Sequence, residues 1–223
     1  MTTCRIHPPG PVPDAALLAR CTGLPTAILS DAMDRTGGAV GLEWVRGGRW
    51  DRVAGPAFTV RTRPGDNLVV HRALDLAPPG SVLVVDGGGY RDRAVLGELL
   101  ARYATTRRVR AVVLDGAVRD VEGLAAGPLP VFARGVSHLG PYKDGPGEIG
   151  APVQVGGVVV RSGDVVVGDG DGVVVVPAGS AAAVVAAAQG LLRAEEDVVA
   201  AIAAGTWDRG WVRAALDEIE VPA

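Results

Sequence analysis

Apolar and polar positions recur along the chain with two different periods, and these periods predict its elements. Residues 14–20 and 26–35 place apolar side chains at intervals of three and four, which predicts two short helices. Residues 52–64 alternate apolar and polar side chains and predict a strand, whereas residues 67–77 predict a helix that ends at a pair of prolines. Residues 1–13 are rich in proline and are interpreted as an N-terminal arm.

The centre of the chain predicts a strand, a helix and a second strand in succession. The run SVLVVD (81–86) is continuously apolar up to its last residue, as in buried parallel strands, and three glycines follow it. The run VRAVVLDG (109–116) predicts the next strand. Between them lies an apolar helical stripe, which consists of Val95, Leu96, Leu99, Leu100, Tyr103 and Ala104. Asp86 and Asp115 are each followed by glycine, and we interpret both as turn residues.

An acid and an Arg-Asp pair flank this helix and strand, with 20 residues between them. Glu98 occupies the first turn of the predicted helix, and Arg119 and Asp120 follow the second strand. A right-handed crossover makes the two strands parallel, so their carboxyl ends lie along one edge of the sheet. The spacing therefore predicts that these three residues meet at the edge where open α/β sheets bind ligands.

The last third of the chain predicts β-structure followed by a long helix. Three valine-rich runs are interpreted as an antiparallel meander, and they are residues 152–160, 164–168 and 172–177. The segment GDGDG (168–172) is interpreted as a hairpin turn. A helix over about 180–204 is predicted to end at Gly205, within a C-terminal helical region that spans 180–223. Because neither a linker nor a repeat divides the sequence, we predict one α/β domain over residues 1–223, with mixed sheets flanked by helices.

Composition narrows the classes of partner and location. The 223 residues are 48% hydrophobic and 21% charged, with a formal net charge of −3, which offers no electrostatic footprint for nucleic acid. Proline and glycine interrupt the apolar run 173–192, so we predict no membrane span. The first residues lack the apolar core of a secretory signal, and two free thiols suit a reducing compartment. We therefore expect a cytoplasmic protein.

The titratable residues bear on the type of chemistry. The histidines His7, His71 and His138 are scattered without the spacing of zinc ligands, and His71 is interpreted as a structural residue of its helix. The chain has a single lysine, Lys143, in the turn-rich segment GPYKDGPGE, whereas a Schiff base needs a lysine desolvated in an apolar pocket. If the protein breaks a bond next to a carbonyl group, we therefore expect it to use a metal ion.

Several segments of the chain, in order, resemble the RraA-like family. They are residues 97–124 together with TAILSDAMDRTGG, PGDNLVVHRAL, PGSVLVVDGGG, PVFARG and GDVVVGDGDGVVVVP. The resemblance implies a layered domain of the swivelling β/β/α type, assembled as a trimer or a dimer of trimers. The family contains class II 4-hydroxy-4-methyl-2-oxoglutarate aldolases, which often also decarboxylate oxaloacetate, and the regulator of ribonuclease activity A.

Within this family, an acid followed after 20 residues by an Arg-Asp pair characterises the aldolase branch, and Glu98, Arg119 and Asp120 fill the pattern. The resemblance implies that Asp120 holds Mg²⁺ or Mn²⁺, largely with water in the other positions. It also implies that Arg119 stabilises negative charge on the substrate oxygen, and that Glu98 orients or deprotonates a metal-bound water. The expected reaction cleaves a carbon-carbon bond of a small 2-oxo acid and releases pyruvate.

Further substrate contacts depend on where the helix begins. If it starts at Gly97, the backbone N–H groups of Leu99 and Leu100 are free to hold the substrate carboxylate, whereas a start five residues earlier would leave them paired. The family's aldolases also place a glutamate from a neighbouring subunit near the metal waters, and the resemblance makes Glu195 or Glu196 the candidate.

Simpler explanations exist for the same residues. Glu98 can pair with Arg102 four residues along the helix, and Asp120 can cap the next helix while forming a surface ion pair with Arg119. Glu98 also stands where the best-known aldolases have aspartate, and Asp86 with its three glycines is closer to the regulator branch. The alternative is therefore a non-catalytic regulator that binds a ribonuclease or another protein.

A third hypothesis takes VLVVDGGG (82–89) as the nucleotide loop of a methyltransferase or dehydrogenase, with Asp115 on the ribose. The fingerprint requires glycine where the chain has Asp92, so this motif is weak.

Overall fold

The computed structural model describes residues 2–45 and 52–216. It has the α/β class expected from the sequence, with a mixed sheet flanked by helices. The strands are β1 (Cys4–Ile6), β2 (Gly38–Ala39), β3 (Glu43–Trp44), β4 (Val53–Thr62), β5 (Val82–Leu96), β6 (Ala111–Val118), β7 (Val131–Val136), β8 (Gly147–Ile149), β9 (Val153–Val155), β10 (Val158–Val160), β11 (Val165–Asp169) and β12 (Gly172–Val176). The helices are α1 (Ala15–Thr22), α2 (Thr26–Asp31), α3 (Leu68–Leu76), α4 (Glu98–Thr106), α5 (Val121–Ala126), α6 (Ala181–Ala203) and α7 (Gly210–Ala215).

The long strand β4 joins the two halves of the large sheet. Its first residues pair with β11, which in turn pairs with β12, whereas its later residues pair with β5 and β8. The strand order β2-β12-β11-β4-β5-β6-β7-β3 folds over at this point into two β layers. Helices α3 and α4 cover the layer of β4 to β7, and helices α1, α2 and α6 cover β11 and β12.

Successive side chains enter different cores because the strand period is two. In β5, Leu83 and Val85 face the helices, whereas Val82 and Val84 face the second β layer together with Phe132. The central strands are therefore buried on both faces, which explains why their sequences are continuously apolar.

The predicted strand, helix and strand unit is confirmed, with one correction. Strands β5 and β6 are parallel, and α4 connects them. The predicted helical stripe began too early, because Val95 and Leu96 belong to β5 and α4 begins at Glu98. The strand continues past the three glycines along a bulged path, on which its pairing with β6 shifts register three times. Gly88 and Gly89 make this path possible with φ of +69°.

The prediction that Asp86 and Asp115 are turn residues is wrong. Both lie within strands and are partners in the β5–β6 ladder. Asp115 is buried and accepts hydrogen bonds from the Arg134 guanidinium and from the Gly156 backbone N–H, the latter at 2.9 Å. These partners are 19 and 41 residues away in sequence, so the local Asp-Gly pair does not reveal them. A strand rather than a helix follows the three glycines, which removes the loop and helix that the nucleotide hypothesis requires.

The rest of the chain needs smaller corrections. β9 and β10 form a separate two-stranded sheet, whereas β11 and β12 join the large sheet and are connected by the predicted hairpin turn. The N-terminal arm contributes β1, which pairs in parallel with β8. The long helix is confirmed as α6, and Gly205 follows it with φ of +68°. Within residues 2–45 and 52–216, none of the helices combines the length and the apolar character needed to cross a membrane.

Candidate active site

The structure brings Glu98, Arg119 and Asp120 together at the carboxyl edge of β5 and β6. The Arg119 backbone N–H donates to the Leu96 carbonyl at 3.0 Å, which ties the residue after β6 to the end of β5. The Glu98 backbone N–H donates to Asp120 Oδ2 at 3.2 Å. The start of α4 therefore holds the Asp120 side chain directly.

Asp120 lies at a strained turn between β6 and α5. Its φ of 57° and ψ of 45° are left-handed, a conformation that aspartate tolerates better than most residues. Asp120 occupies the N-cap position of α5, but its side chain makes no capping hydrogen bond, so this half of the simpler explanation does not hold. The ion pair of that explanation exists, because Oδ2 lies 3.5 Å from Arg119 Nε, and Oδ2 also accepts the Glu98 N–H. Oδ1 has no partner among the residues that the structure describes. The Asp120 carboxylate can lie this close to the start of α4 because residue 97 is glycine; a Cβ there would lie 2.5 Å from Asp120 Oδ2.

The first turn of α4 presents two unpaired backbone donors. The helix begins after Gly97, and its first backbone bond runs from the Ala101 N–H to the Gly97 carbonyl at 3.1 Å. The N–H groups of Leu99 and Leu100 therefore have no acceptor in the part of the chain that the structure describes. Of the two helix starts considered from the sequence, the structure has the later one, which leaves these two N–H groups free for a carboxylate.

Glu98 points along α4 toward Arg102. Its Oε1 accepts a hydrogen bond from Arg102 Nε at 2.8 Å and lies 2.6 Å from a second guanidinium nitrogen. The carboxylate also lies over Gly123 of α5, where a Cβ would come within 2.5 Å of the Glu98 carboxyl carbon. The ion pair of the simpler explanation therefore exists, and Glu98 nevertheless lines a cavity together with Asp120.

Two cavities share Arg119 and Asp120 in their walls, and the other residues that line them differ in charge. The first has a volume of about 580 Å³, and we call it the acidic cavity because Glu98 and Glu122 line it. The second has a volume of about 90 Å³, and we call it the cationic cavity. Its further polar side chains are Asn67, His71 and Lys143, and the first turn of α4 completes its wall.

The sequence did not predict the polar residues of the cationic cavity as site residues. Asn67 Nδ2 donates to the Val95 carbonyl at 3.1 Å, whereas its buried Oδ1 has no hydrogen-bond partner among the described residues. Desolvation of the ring lowers the pKa of His71, and the charge of Lys143 lowers it further against the opposing effect of Asp75. The available signal was a polar pair four residues apart, Asn67 and His71, on an otherwise apolar helix face.

The free oxygen of Asp120 fits a hard divalent cation. Mg²⁺ prefers oxygen ligands and binds through one or two carboxylates while keeping several waters. Within residues 2–45 and 52–216, no three His, Cys, Asp or Glu side chains converge on one point. A cation at Asp120 would therefore take its other ligands from water, substrate or another subunit.

Glu195 and Glu196 lie elsewhere in the chain. Both are exposed on α6, which belongs to the opposite helical layer, and Glu195 lines a groove with Ile28 and Leu191. A single chain does not bring them to Asp120, and their role at a neighbouring subunit's site stays a prediction.

Comparisons with known proteins give relatives for most of the chain. Residues 26–175 match the family model RraA-like, described as Aldolase/RraA. The chain is 40% identical over 131 residues to the 4-hydroxy-4-methyl-2-oxoglutarate aldolase of Thermus thermophilus, a match that covers 59% of this chain and 79% of that protein. An uncharacterized protein from Pseudomonas syringae pv. tomato has a similar structure, with a TM-score of 0.77 at 32% identity over 88% of this chain and 96% of that one. Streptomyces coelicolor RraAS2, described as an unusual member of the RNase ES inhibitor RraA protein family, has a TM-score of 0.76 at 28% identity and covers 84% of this chain and 98% of that one.

Proposed function

The chain belongs to the RraA-like family, and we propose that it is a divalent-metal-dependent lyase that cleaves a carbon-carbon bond of a small 2-oxo acid and releases pyruvate. The reaction is aldol cleavage of 4-hydroxy-4-methyl-2-oxoglutarate, decarboxylation of oxaloacetate, or both. The family includes both aldolases and regulators, so membership alone does not select the enzyme. The observation that carries the proposal is the geometry of Asp120, with one carboxylate oxygen oriented, the other free, and Arg119 and two unpaired N–H groups beside it.

The ion is Mg²⁺ or Mn²⁺, held by Asp120. When bound there, it would supply a Lewis acid for the carboxylate and keto oxygens of the substrate. Asp120 is oriented for this role by the Glu98 N–H, which occupies Oδ2 and leaves Oδ1 free.

Arg119 stabilises the charge that develops during cleavage. Aldol cleavage removes the proton of the 4-hydroxyl group, breaks the C3–C4 bond and leaves the electron pair on an enolate whose oxygen was the keto oxygen. The guanidinium faces that oxygen, and the loss of one such donor typically costs about 3 kcal/mol of barrier. The N–H groups of Leu99 and Leu100 hold the adjacent carboxylate at the positive end of α4.

Glu98 carries protons through a water molecule. Arg102 occupies its Oε1, and Oε2 has no hydrogen-bond partner among the residues that the structure describes. A water held by Oε2 in the acidic cavity takes the proton of the 4-hydroxyl group and returns a proton to C3 of the enolate, which gives pyruvate. With oxaloacetate, carbon dioxide leaves instead and only the second proton transfer is needed.

The assembly and the location are part of the proposal. We expect a homotrimer or a dimer of trimers in the cytoplasm, in which Glu195 or Glu196 reaches the site of a neighbouring subunit. A protein that stays monomeric at working concentration would contradict this shared site.

The alternative is a non-catalytic regulator that binds a ribonuclease or another protein. Its support is the similarity to Streptomyces RraAS2 and the run of Asp86 and three glycines. A pull-down with a ribonuclease tests it directly.

The deciding experiment measures pyruvate release from 4-hydroxy-4-methyl-2-oxoglutarate and, separately, from oxaloacetate, with Mg²⁺ or with a chelator. It compares the unmodified protein, Asp120→Ala and the control Asp171→Ala, which removes an exposed acid from the β11–β12 turn. We expect turnover that needs the metal, is lost in Asp120→Ala and is kept in Asp171→Ala. Pyruvate release no faster than that caused by free metal would refute the enzyme and favour the regulator.

A further inference from the structure

The loop between β7 and β8 forms part of the wall of both cavities. We call residues 137–146 the site loop, and its lining residues are Ser137 and His138 in the acidic cavity and Pro141 and Lys143 in the cationic cavity. The loop also passes close to Arg119, because a Cβ on Gly140 would lie 3.2 Å from Arg119 Nη1. The path of the site loop therefore sets the shape of both cavities.

The N-terminal arm covers the strand that follows the site loop. Strand β8 has three residues, and it pairs with β4 on one side and with β1 of the arm on the other. The Gly147 N–H donates to the Thr3 carbonyl at 3.2 Å, and the His7 N–H donates to the Ile149 carbonyl at 2.8 Å. Removal of β1 would leave β8 as a short strand at the edge of the sheet, with backbone groups unpaired along that edge.

The arm also contacts the site loop directly. Thr2 Oγ1 donates a hydrogen bond to the Asp144 carbonyl at 2.5 Å. On its inner side the loop is held by the buried Asp66, whose Oδ2 accepts the N–H groups of Asp144 at 3.0 Å and Gly145 at 2.7 Å. The second half of the loop is therefore held from inside by Asp66 and from outside by the arm.

Glu148 fastens the arm through its side chain. The strand register places it between Arg5 of β1 and Arg61 of β4. Its Oε2 lies 3.0 Å from His7 Nε2, and its Oε1 lies 3.4 Å from Arg5 Nη1. The hydrogen bond with His7, aided by the charges of Arg61 and Arg5 and opposed by desolvation, holds the pKa of Glu148 below its ordinary value. Because an ionised carboxylate only accepts hydrogen bonds, the His7 ring donates from Nε2.

The arm is attached mainly through its backbone and its polar side chains. All three side chains of β1 are exposed, and Ile6 is 57% exposed. A cavity of about 430 Å³ lies between the arm and β4, and Thr3, Arg5 and Arg61 line it. A strand that buries so little apolar surface belongs to the least stable part of a fold and opens without global unfolding. The arm can therefore detach and reattach while the rest of the protein stays folded.

We propose that the N-terminal arm is a strap that positions the site loop, and that His7 is the positioning residue that fastens it through Glu148. Attachment of the arm holds the loop against the cavities, and detachment leaves the loop to its inner anchor and loosens their walls. The consequence for catalysis rests on the proposed function, because substrate binds to the fraction of molecules in which the loop is in place. His7 acts through the loop and not on the substrate.

The first test measures amide hydrogen exchange in the full chain without substrate. His7→Ala removes the imidazole, His7→Pro also removes the N–H that donates to Ile149, and His7→Gln keeps a side-chain donor for Glu148. The control Val12→Ala changes an exposed side chain of the same arm. The reporter amides are Gly147 at the arm, Asp144 and Gly145 in the site loop, and Val113 in the buried strand β6.

We expect Gly147 to exchange roughly 2- to 5-fold faster in His7→Ala, the effect of losing an exposed ion pair, and roughly 10-fold faster in His7→Pro, which also loses a backbone hydrogen bond. Asp144 and Gly145 should follow in the same order, whereas Val113 should not change. His7→Gln and Val12→Ala should exchange like the unmodified protein. Faster exchange at Gly147 with Asp144 and Gly145 unchanged would overturn the strap, because the arm would then only cover the edge of β8. An equal increase at Val113 would also overturn it, because the variant would then act on the whole fold.

Steady-state kinetics with oxaloacetate and Mg²⁺ tests the consequence for the site. His7→Pro should raise KM by roughly 3- to 10-fold and change kcat by less than about 2-fold, whereas His7→Gln should keep the KM of the unmodified protein. A fall in kcat at constant KM would contradict the positioning role. If the unmodified protein releases no pyruvate, the lyase fails, and the exchange measurement still decides whether the arm holds the loop.

Discussion

Replacing Asp66 by asparagine should destabilise the protein more than replacing any exposed acid around the site. Asp66 is fully buried and accepts four hydrogen bonds, three from backbone N–H groups and one from the Arg63 guanidinium at 3.1 Å. Burial alone would raise its pKa, but the three backbone hydrogen bonds and the charge of Arg63 outweigh burial, and the pKa lies below its ordinary value. The carboxylate is therefore ionised in the folded protein at neutral pH.

The size of the effect follows from these contacts. An asparagine that keeps its oxygen at the Oδ2 position turns its NH₂ group toward the Leu68 N–H, and a buried donor left without an acceptor costs about 1–3 kcal/mol. The other three hydrogen bonds change from charged to neutral and weaken by roughly 1 kcal/mol each. The neutral side chain is also less costly to bury, which offsets part of this loss. We expect the free energy of unfolding to fall by about 3 kcal/mol.

The assay is urea unfolding at pH 7 and at one fixed protein concentration, because oligomers gain apparent stability with concentration. The matched control is Asp144→Asn, whose side chain is 74% exposed and should change stability by less than about 1 kcal/mol. Because the pKa of Asp66 is lower in the folded protein than in the unfolded chain, its carboxylate stabilises the fold at pH values above the unfolded pKa, which is near 3.9. This contribution is lost as the pH falls through the folded pKa. The difference in the free energy of unfolding between the unmodified protein and Asp66→Asn should therefore narrow below about pH 4. A loss under 1 kcal/mol at pH 7, or an equal loss in Asp144→Asn, would refute the reasoning.

Three further variants test the site. Arg102→Met frees Glu98 from its ion pair and should lower kcat by roughly 3- to 10-fold with little change in KM. A change confined to KM would contradict a role of Glu98 in proton transfer. Gly123→Ala places a Cβ against the Glu98 carboxylate and should give a similar fall in kcat. If a crystal structure of this variant shows Glu98 in its original position, no such fall is expected. Gly97→Ala displaces the Asp120 carboxylate and should lower kcat/KM by roughly 100-fold and weaken Mg²⁺ binding in calorimetry; unaltered metal binding would count against Asp120 as the ligand.

The part of the site that sequence could predict depends on local periodicity. The strand, helix and strand pattern places Glu98 and Arg119 at one edge whatever their side chains do, because parallel strands share a carboxyl edge. The path of β5 could not be predicted in this way, because its second half has no apolar alternation and is held by bulged pairing with β6. Asp115 was misplaced for a related reason, since its partners come from later parts of the chain, Arg134 from β7 and Gly156 from the turn between β9 and β10.

Lys143 shows how sequence and structure bear on the same chemical question, which is whether a lysine can carry the reaction. The sequence excluded it as a Schiff-base lysine because its segment is rich in turns, and the side chain is exposed in the structure. Exposure disfavours a nucleophilic amine, because nucleophilicity requires desolvation. Asp66 accepts the backbone N–H groups of the two residues that follow Lys143, and it so fixes the loop that carries this exposed side chain. Because the single lysine is exposed, the chain offers no desolvated lysine for a Schiff base, and the proposed lyase therefore assigns bond cleavage to a metal ion at Asp120.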